Sequence, residues 1–348
     1  LLFSPEKMQS SDMRPKPTIL DVARKAGVSG KTVSRVVNGD PHVGDRTQER
    51  VTAAITQLGY RPNLAAASLR SKRSFVIAAI SAQGAGEFHH SAYAHLSAAC
   101  SKRGHHLVIE QIDVTARPDL EQLRGLLDTV GPAGIVLMPG AGASVEVMDL
   151  IRDYGTRTVV FGTADGPADA HKVCAEEVGG GAEVADHLWA LGHRRFAILR
   201  TPFQTSLPRG QALEARLLAL GADPAMIMLV DLDTALPALE NGRLAALGAL
   251  AAASPPTAIF TFTDLIAAGV IAALATRGAA VPGDFSVVGC DDGEVARAIF
   301  PALTTLRQPL AEMADAAIDL LVGSGAVPQV VSCPMTLVVR DSTASAQP

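Results

Sequence analysis

Between Thr18 and Asn38 the chain reads TILDVARKAGVSGKTVSRVVN, two short amphipathic segments on either side of a glycine. Thr18 is a good N-cap, because its hydroxyl can accept an otherwise unpaired backbone N–H, and Asp21 stands three residues on, as in a capping box. Ile19, Val22, Ala23 and Ala26 recur at helical spacing. Gly27 gives the backbone freedom to turn. Ser29 can cap the second segment, to which Val33, Val36 and Val37 give an apolar face. The opposite face carries Lys31, Thr32, Ser34 and Arg35. This is the pattern of a helix-turn-helix, with short polar and basic side chains where a DNA major groove would lie. A mere helical hairpin with a solvated basic face would not need caps, turn and apolar spacing to agree.

The charge distribution points the same way. From Arg14 to Arg73 twelve Lys/Arg stand against four Asp/Glu; from Ser74 onward seventeen stand against twenty-nine. A basic head on an acidic body suits a nucleic-acid-binding module whose body is kept off the phosphates. After the turn GDPHVGD a third helix is expected from about Arg46 to Leu58, with Val51, Ala54, Ile55 and Leu58 as its apolar stripe. Residues 63–74 are basic and Ala-rich, and too short to hold a helix alone in water. Residues 1–15 carry no periodicity and are expected to form a disordered arm.

From Phe75 the pattern alternates. Apolar strand-like runs fall at 75–80, 106–112, 134–138, 158–162, 195–199, 225–230, 258–262 and 285–290, with helical stretches such as 91–103, 119–129, 179–191, 208–220, 240–252 and 264–277 between them. Such alternation predicts parallel sheets covered on both faces, here in two α/β lobes.

Other classes lack their signatures. No apolar run reaches membrane-spanning length, and the opening LLF is too short for a signal peptide, so a cytoplasmic protein is expected. Cys100, Cys174, Cys290 and Cys333 are scattered without a CxxC, and are expected as reduced thiols. There is no GxSxG, P-loop or HExxH, so neither an enzyme nor a cofactor is expected. His89, His90, His95, His105 and His106 lack the i, i+4 pairing of a helical zinc motif. Gly84-Ala85-Gly86 lacks the third glycine of a dinucleotide fingerprint.

DVARKAGVSGKTVSRVVNG, RTQERVTAAITQLGYRPN and LAAASLRSKRS together resemble the headpiece and hinge of the LacI/GalR (lactose-repressor) transcription regulators. LGHRRFAIL (191–199), FTDLIAAGVIAAL (262–274), VPGDFSVVGCDD (281–292) and FPALTTLRQPLAEMADAAIDLL (300–321) resemble signatures of that family's body. The resemblance implies an all-α helix-turn-helix headpiece (16–62) and a hinge helix (63–74). A two-lobed, periplasmic-binding-protein-like (type I) α/β effector domain with parallel sheets (75–341) and a tail (342–348) would come after them. Lobe 1 would take about 75–161 and 292–322, and lobe 2 about 162–291 and 323–341. The chain would cross near Gly162, near Asp291 and between Gly323 and Val331.

The resemblance also assigns residues. Gly30, Lys31 and Arg35 would face base edges, Arg35 being suited to guanine O6 and N7. Gly30 lacks the side chain that relatives use there. Thr18, Ser29, Thr32, Ser34 and Asn38 would meet phosphates, although capping alone would explain Thr18 and Ser29. Leu69 would wedge into the minor groove. In the cleft, Phe88, His89, Phe203, Thr205, Arg209 and Asp264 would bind the effector. Alternatively, Asp264 would cap the helix after it, and Arg209 would form a surface salt bridge. Trp189 is expected in the core, and Asp291 as a structural residue at a crossover. Ala175-Glu176 replaces a common Asp–Asn pair, Ala212 a common glycine, and GAGEFHHS a common Asn-Pro-aromatic turn.

The implied function is a repressor that leaves a pseudopalindromic operator when a sugar-like effector binds; a corepressor-dependent regulator taking a purine or other metabolite is the alternative. The implied partners are double-stranded operator DNA, a small carbohydrate and a second copy of the chain, with no membrane. The ending DSTASAQP has no leucine repeat, so a dimer is expected rather than a tetramer.

Overall fold

The computed structural model describes residues 17–37, 40, 42–60, 74–82, 86–113, 120–141, 145–200, 207–233, 235–325 and 327–347. The chain divides into two units, Leu1–Arg73 and Ser74–Pro348.

The first unit holds α1 (Ile19–Ala26), α2 (Gly30–Val37) and α3 (Asp45–Leu58). α1 starts on a complete capping box: Thr18 Oγ1 accepts the Asp21 N–H at 3.3 Å, and Asp21 Oδ2 accepts the Thr18 N–H at 2.9 Å. It stops at Gly27, whose φ of 61° only glycine adopts cheaply. Ser29 Oγ accepts the Thr32 N–H at 3.1 Å and so opens α2. Val22, Ala23, Ala26, Val33, Val51 and Ala54 form the core, with Ile55, Leu58 and Tyr60 packed around it. The three helices thus bury one another's apolar stripes, which single short helices cannot do.

The second unit holds two six-stranded sheets. Its elements are β1 (Val76–Ala82), α4 (Glu87–Lys102), β2 (His106–Ile112), α5 (Leu120–Val130), β3 (Gly134–Leu137), α6 (Val145–Asp153), β4 (Thr158–Phe161) and β5 (His171–Ala175). Next come α7 (Glu177–Ala190), β6 (Phe196–Arg200), α8 (Leu207–Ala219), β7 (Ile227–Asp231), α9 (Ala238–Ala251), β8 (Ala258–Phe260) and α10 (Asp264–Thr276). β9 (Ser286–Asp291), α11 (Glu294–Ala298), β10 (Thr304–Arg307), α12 (Leu310–Val322), β11 (Val330–Cys333) and β12 (Thr336–Val338) complete it. The first sheet has the order β11-β5-β4-β3-β1-β2 and is parallel throughout. The second has the order β12-β10-β9-β8-β6-β7, parallel except where β12 runs against β10. Ile77, Val136, Val159 and Phe161 of the first sheet and Phe196, Ile198, Phe260 and Val288 of the second belong to one buried cluster, joined through Leu306, Cys333 and Met335.

The expected lobe boundaries need correction. β5 lies in the first sheet, β10 in the second and β11 back in the first. The chain therefore crosses at Glu176, at Gln308-Pro309 and at Pro334-Met335, rather than near Gly162, Asp291 and Gly323–Val331. The missed strands are less apolar than their neighbours. β5 begins with His171 and Lys172, and β10 begins with Thr304 and Thr305, both fully buried. Burial is tolerated because the hydroxyls are bonded: Thr304 Oγ1 donates to the Arg340 carbonyl at 3.3 Å and Thr305 Oγ1 to Asp264 at 2.5 Å.

Helices α9 and α10 meet backbone to backbone. A Cβ placed on Gly242 would run into the Ile266 carbonyl oxygen and stand 2.9 Å from the Val270 nitrogen; one on Gly269 would run into the Leu239 carbonyl oxygen. Gly242→Ala is expected to destabilise the protein by about 1–3 kcal/mol through overpacking, although alanine favours a helix by about 1 kcal/mol over glycine. Urea unfolding would show a lower midpoint at unchanged slope. A neutral or stabilising result would mean that the two helices part without loss.

Candidate functional site

Two places concentrate polar chemistry. The first is the outer face of α2. Val33 points into the core, while Lys31 and Arg35, one turn apart, are exposed, and Gly30, Thr32 and Ser34 are half-buried. Arg50 of α3 donates to the Ala26 and Gly27 carbonyls, and so closes the end of α1 and fixes the turn before α2. The hydroxyls of Thr18 and Ser29 are used as caps, and Ser29 Oγ lies 2.9 Å from Thr32 Oγ1. Arg35 Nε lies 3.2 Å from Asp40 Oδ2, a partner that no sequence pattern indicated. Asn38 and Leu69 lie outside the described residues.

The second place is where the carboxyl ends of the two sheets approach, the usual ligand position in open α/β sheets. On the first sheet, Phe88 and His89 sit in the first turn of α4. Phe88 packs at a tilt against Phe161 at the end of β4, with ring centroids 6.4 Å apart, and meets His89 edge-on at 5.6 Å. His89 Nε2 donates to the Pro139 carbonyl at 3.2 Å, and burial lowers its pKa, which keeps the ring neutral.

On the second sheet Arg209 is enclosed, with 3% of its side chain exposed, and is not a surface ion pair. Its Nε donates to Glu177 Oε2 at 2.6 Å, Nη1 contacts Cys290 Sγ, and its guanidinium lies 5.8 Å from the Phe262 ring centre. Burial opposes its charge, but Cys290, Glu177 and Asp291 outweigh that and hold the proton. Asp291 accepts from Gln308 Nε2 at 2.6 Å; burial pushes its carboxyl up to about 7, against the pull of Arg209. Asp291 is therefore part of the Arg209 cluster at the end of β9, while the crossover it was assigned to lies at Gln308-Pro309. The next residue, Asp292, bonds Arg297, Arg307 and Arg340, and both aspartates hold positive φ, 109° and 53°.

Asp264 is fully buried. Its Oδ2 accepts the Gly293 N–H at 2.7 Å and its Oδ1 the Thr305 hydroxyl at 2.5 Å, and burial pushes its carboxyl up to about 8. It thus ties α10 to β10 and to the turn after β9. It is not the cap of α10: Thr263, extended at φ −142°, accepts the Ile266 N–H at 3.3 Å. Glu87 of α4 reaches this cluster from the other sheet, since a Cβ on Gly293 would run into its carboxylate. Phe203 and Thr205 lie outside the described residues. Trp189 is half-buried, stacked 6.5 Å from Phe196, with Arg194 3.6 Å above its ring.

Sequence reasoning passed over Glu177 as a member of the Arg209 cluster and gave Asp291 only a structural role. Asp291 had a signal, because it closes an apolar strand at the end where ligands bind. Glu177 had none, because the strand that carries the chain to it, β5, is not apolar enough to be expected. Among the described residues no His, Cys, Asp or Glu group is arranged to hold a metal, and no helix is long and apolar enough to cross a membrane. The four cysteines are free and buried.

A basic helix-turn-helix followed by two largely parallel sheets with a polar cluster at their carboxyl ends defines a DNA-binding regulator with a sensor body. Comparisons with known proteins agree. Residues 18–63 match "Bacterial regulatory proteins, lacI family" and residues 185–343 match "Periplasmic binding protein-like domain". The chain is 30% identical over 341 residues to the HTH-type transcriptional regulator DegA of Bacillus subtilis (strain 168), which covers 94% of this chain and 98% of that one. Its fold is similar to that of the transcriptional regulator CelR–cellobiose complex (TM-score 0.66, 28% identity, 94% of this chain and 99% of that one). It is also similar to the lac repressor dimer bound to operator and the anti-inducer ONPF (TM-score 0.68, 25% identity, 94% and 99%). The chain belongs to the LacI family of bacterial transcriptional regulators.

Proposed function

We propose that the chain is a cytoplasmic, non-enzymatic, dimeric repressor that leaves a pseudopalindromic operator when a sugar-like effector enters the cleft. The observation that carries the DNA half is the face of α2, where Lys31 and Arg35 stand exposed one turn apart above a closed core. Arg35 reads a guanine, Lys31 a guanine or a phosphate, and the hydroxyls of Thr18, Ser29, Thr32 and Ser34 set register on the phosphates. For Thr18 the two roles compete, because its hydroxyl accepts the Asp21 N–H and donates its own proton to Asp21 Oδ2 at 2.7 Å, so a phosphate contact there requires that proton to turn outward.

The effector half is supported by the cluster of Arg209, Glu177 and Asp291 near the strand ends of the second sheet, with Phe262 5.8 Å from the guanidinium, and by half-buried Phe88 near the strand ends of the first. Carboxylates and a guanidinium suit hydroxyl groups, and aromatic rings suit the apolar face of a sugar ring. The relative solved with cellobiose supports a carbohydrate. Ligand binding changes the angle between lobes joined by three short crossings, and operator affinity falls; by linkage DNA weakens effector binding by the same factor.

Fluorescence anisotropy of the full chain on its own upstream DNA, at two salt concentrations and with a panel of sugars and nucleobases, tests this. Tight, salt-sensitive, selective binding released by one sugar is the expected result. Binding strengthened by a nucleobase would replace the induced repressor with a corepressor-dependent one. The absence of selective binding to any DNA would refute the reading.

A further inference from the structure

Arg35 is exposed, yet its guanidinium is held. Asp40 lies just beyond α2 and returns to it: its backbone N–H donates to the Arg35 carbonyl at 3.0 Å, and its Oδ2 lies 3.2 Å from Arg35 Nε. The other oxygen is occupied as well. Asp40 Oδ1 accepts the His42 backbone N–H at 3.0 Å and faces His42 Nδ1 at 3.0 Å, where a carboxylate can only accept. These two His42 hydrogen bonds, with the nearby Arg35 charge, lower the Asp40 pKa, so the carboxylate stays ionised. Asp40 is therefore fixed at both oxygens and presents one of them to the Nε edge of Arg35.

A guanidinium offers hydrogens along its Nε side and at its Nη1/Nη2 end. With the Asp40 carboxylate paired at the Nε side, the Nη1/Nη2 end, which matches the O6/N7 edge of guanine, stays available. We propose that Asp40 is a positioning residue for base reading: it holds the Arg35 side chain in the orientation that presents its Nη pair to the groove floor, and His42 braces it from behind. The proposal rests on the reading of Arg35 as a base reader. An unbraced arginine loses rotamer freedom on reaching a base and can swing to a phosphate, which carries no sequence information. The brace matters more in this chain because Gly30 has no side chain to read with. It also has a cost, since a carboxylate at this edge repels the DNA backbone. Asp40 thus exchanges general affinity for selectivity.

The test is selection of double-stranded DNA from a randomised two-half-site library by the full-length protein, its Arg35→Ala, Asp40→Ala and Asp40→Glu variants and the Arg35→Ala/Asp40→Ala double variant, with affinity for random duplex measured alongside. Arg35→Ala is expected to lose about 5- to 150-fold in preference for one guanine per half-site. Asp40→Ala is expected to lose about 5-fold at that same base pair and at no other, to bind random duplex more tightly, and to add nothing once Arg35 is gone. Asp40→Glu is expected to recover part of the preference. A uniform loss at every position, or weaker binding to random duplex, would make Asp40 a structural residue and overturn the proposal. Full guanine preference in Asp40→Ala, where Arg35→Ala has lost it, would overturn the brace alone. No change in Arg35→Ala would overturn the base-reader reading and the brace with it.

Discussion

Arg209→Ala is expected to destabilise the two-sheet unit by about 3–5 kcal/mol, the cost of leaving a buried charge without its partner. Arg209 and Glu177 are 3% and 12% exposed and bonded at 2.6 Å, so neither has water to fall back on. Once the guanidinium is gone, Glu177 and the fully buried Cys290 lose a donor, and Asp291 loses the charge that opposes its burial. Arg209→Lys should rescue little, because an ammonium cannot serve Glu177 and Cys290 from one plane. Removing Glu177 together with Arg209 should cost less than the sum of the single losses, since the pair is lost once. Urea unfolding of the unaltered protein and the four variants at neutral pH measures all of this. A loss under about 1 kcal/mol for Arg209→Ala would place the pair among solvent-screened ion pairs, contrary to its burial.

The second large effect is a dependence on pH. Burial pushes Asp264 up to about 8 and Asp291 up to about 7, from an ordinary value of 3.8. Around them stand Arg209, which favours ionisation of Asp291, and Glu87, which opposes ionisation of both; Asp291 in turn opposes that of Asp264. The folded state therefore holds protons that the unfolded chain releases. Their contribution to stability is fully present below the unfolded value and is lost as pH rises through about 7 and then about 8. Each carboxyl is expected to contribute on the order of a few kcal/mol across that window. Unfolding midpoints should fall as pH rises from about 5 to about 8.5, and Asp264→Asn and Asp291→Asn should each flatten the slope. Below about 4 the trend reverses, because Asp292, held ionised by Arg340 and Arg307 despite partial burial, must then take up a proton. Slopes equal to that of the unaltered protein in both variants would show that these two carboxyls do not carry the effect.

The headpiece was the legible part because its determinants are local. Thr18 with Asp21, Gly27, and Ser29 with Thr32 are interactions within a few residues, and each appears in the structure as expected. The apolar strands β1, β3 and β4 were equally plain. β5 and β10 were not, because His171, Thr304 and Thr305 are made tolerable in the interior by partners distant in sequence, such as Arg340 and Asp264. The cleft obeyed the same rule. Arg209 was found by resemblance, but its partner Glu177 lies thirty-two residues away and is brought near where Gly181 lets α7 approach the Arg209 backbone. Asp264 looked like a cap or a ligand group; it is not the cap, and it joins three elements that no periodicity relates.

The three crossings have a consequence for how such a protein can be cut, built or inherited. The first sheet takes its strands from residues on both sides of the second, so neither lobe is one continuous stretch of chain. A single proteolytic nick at Glu176, at Gln308-Pro309 or at Pro334-Met335 leaves two covalent tethers, and the halves should stay joined until all three crossings are cut. No single gene fragment encodes a complete half of the sensor, so recombination cannot trade one half for another's. The three-helix head, which closes its own core within 17–60, carries no such restriction. A new operator preference can be acquired by exchange of one short segment, while the sensor passes on whole.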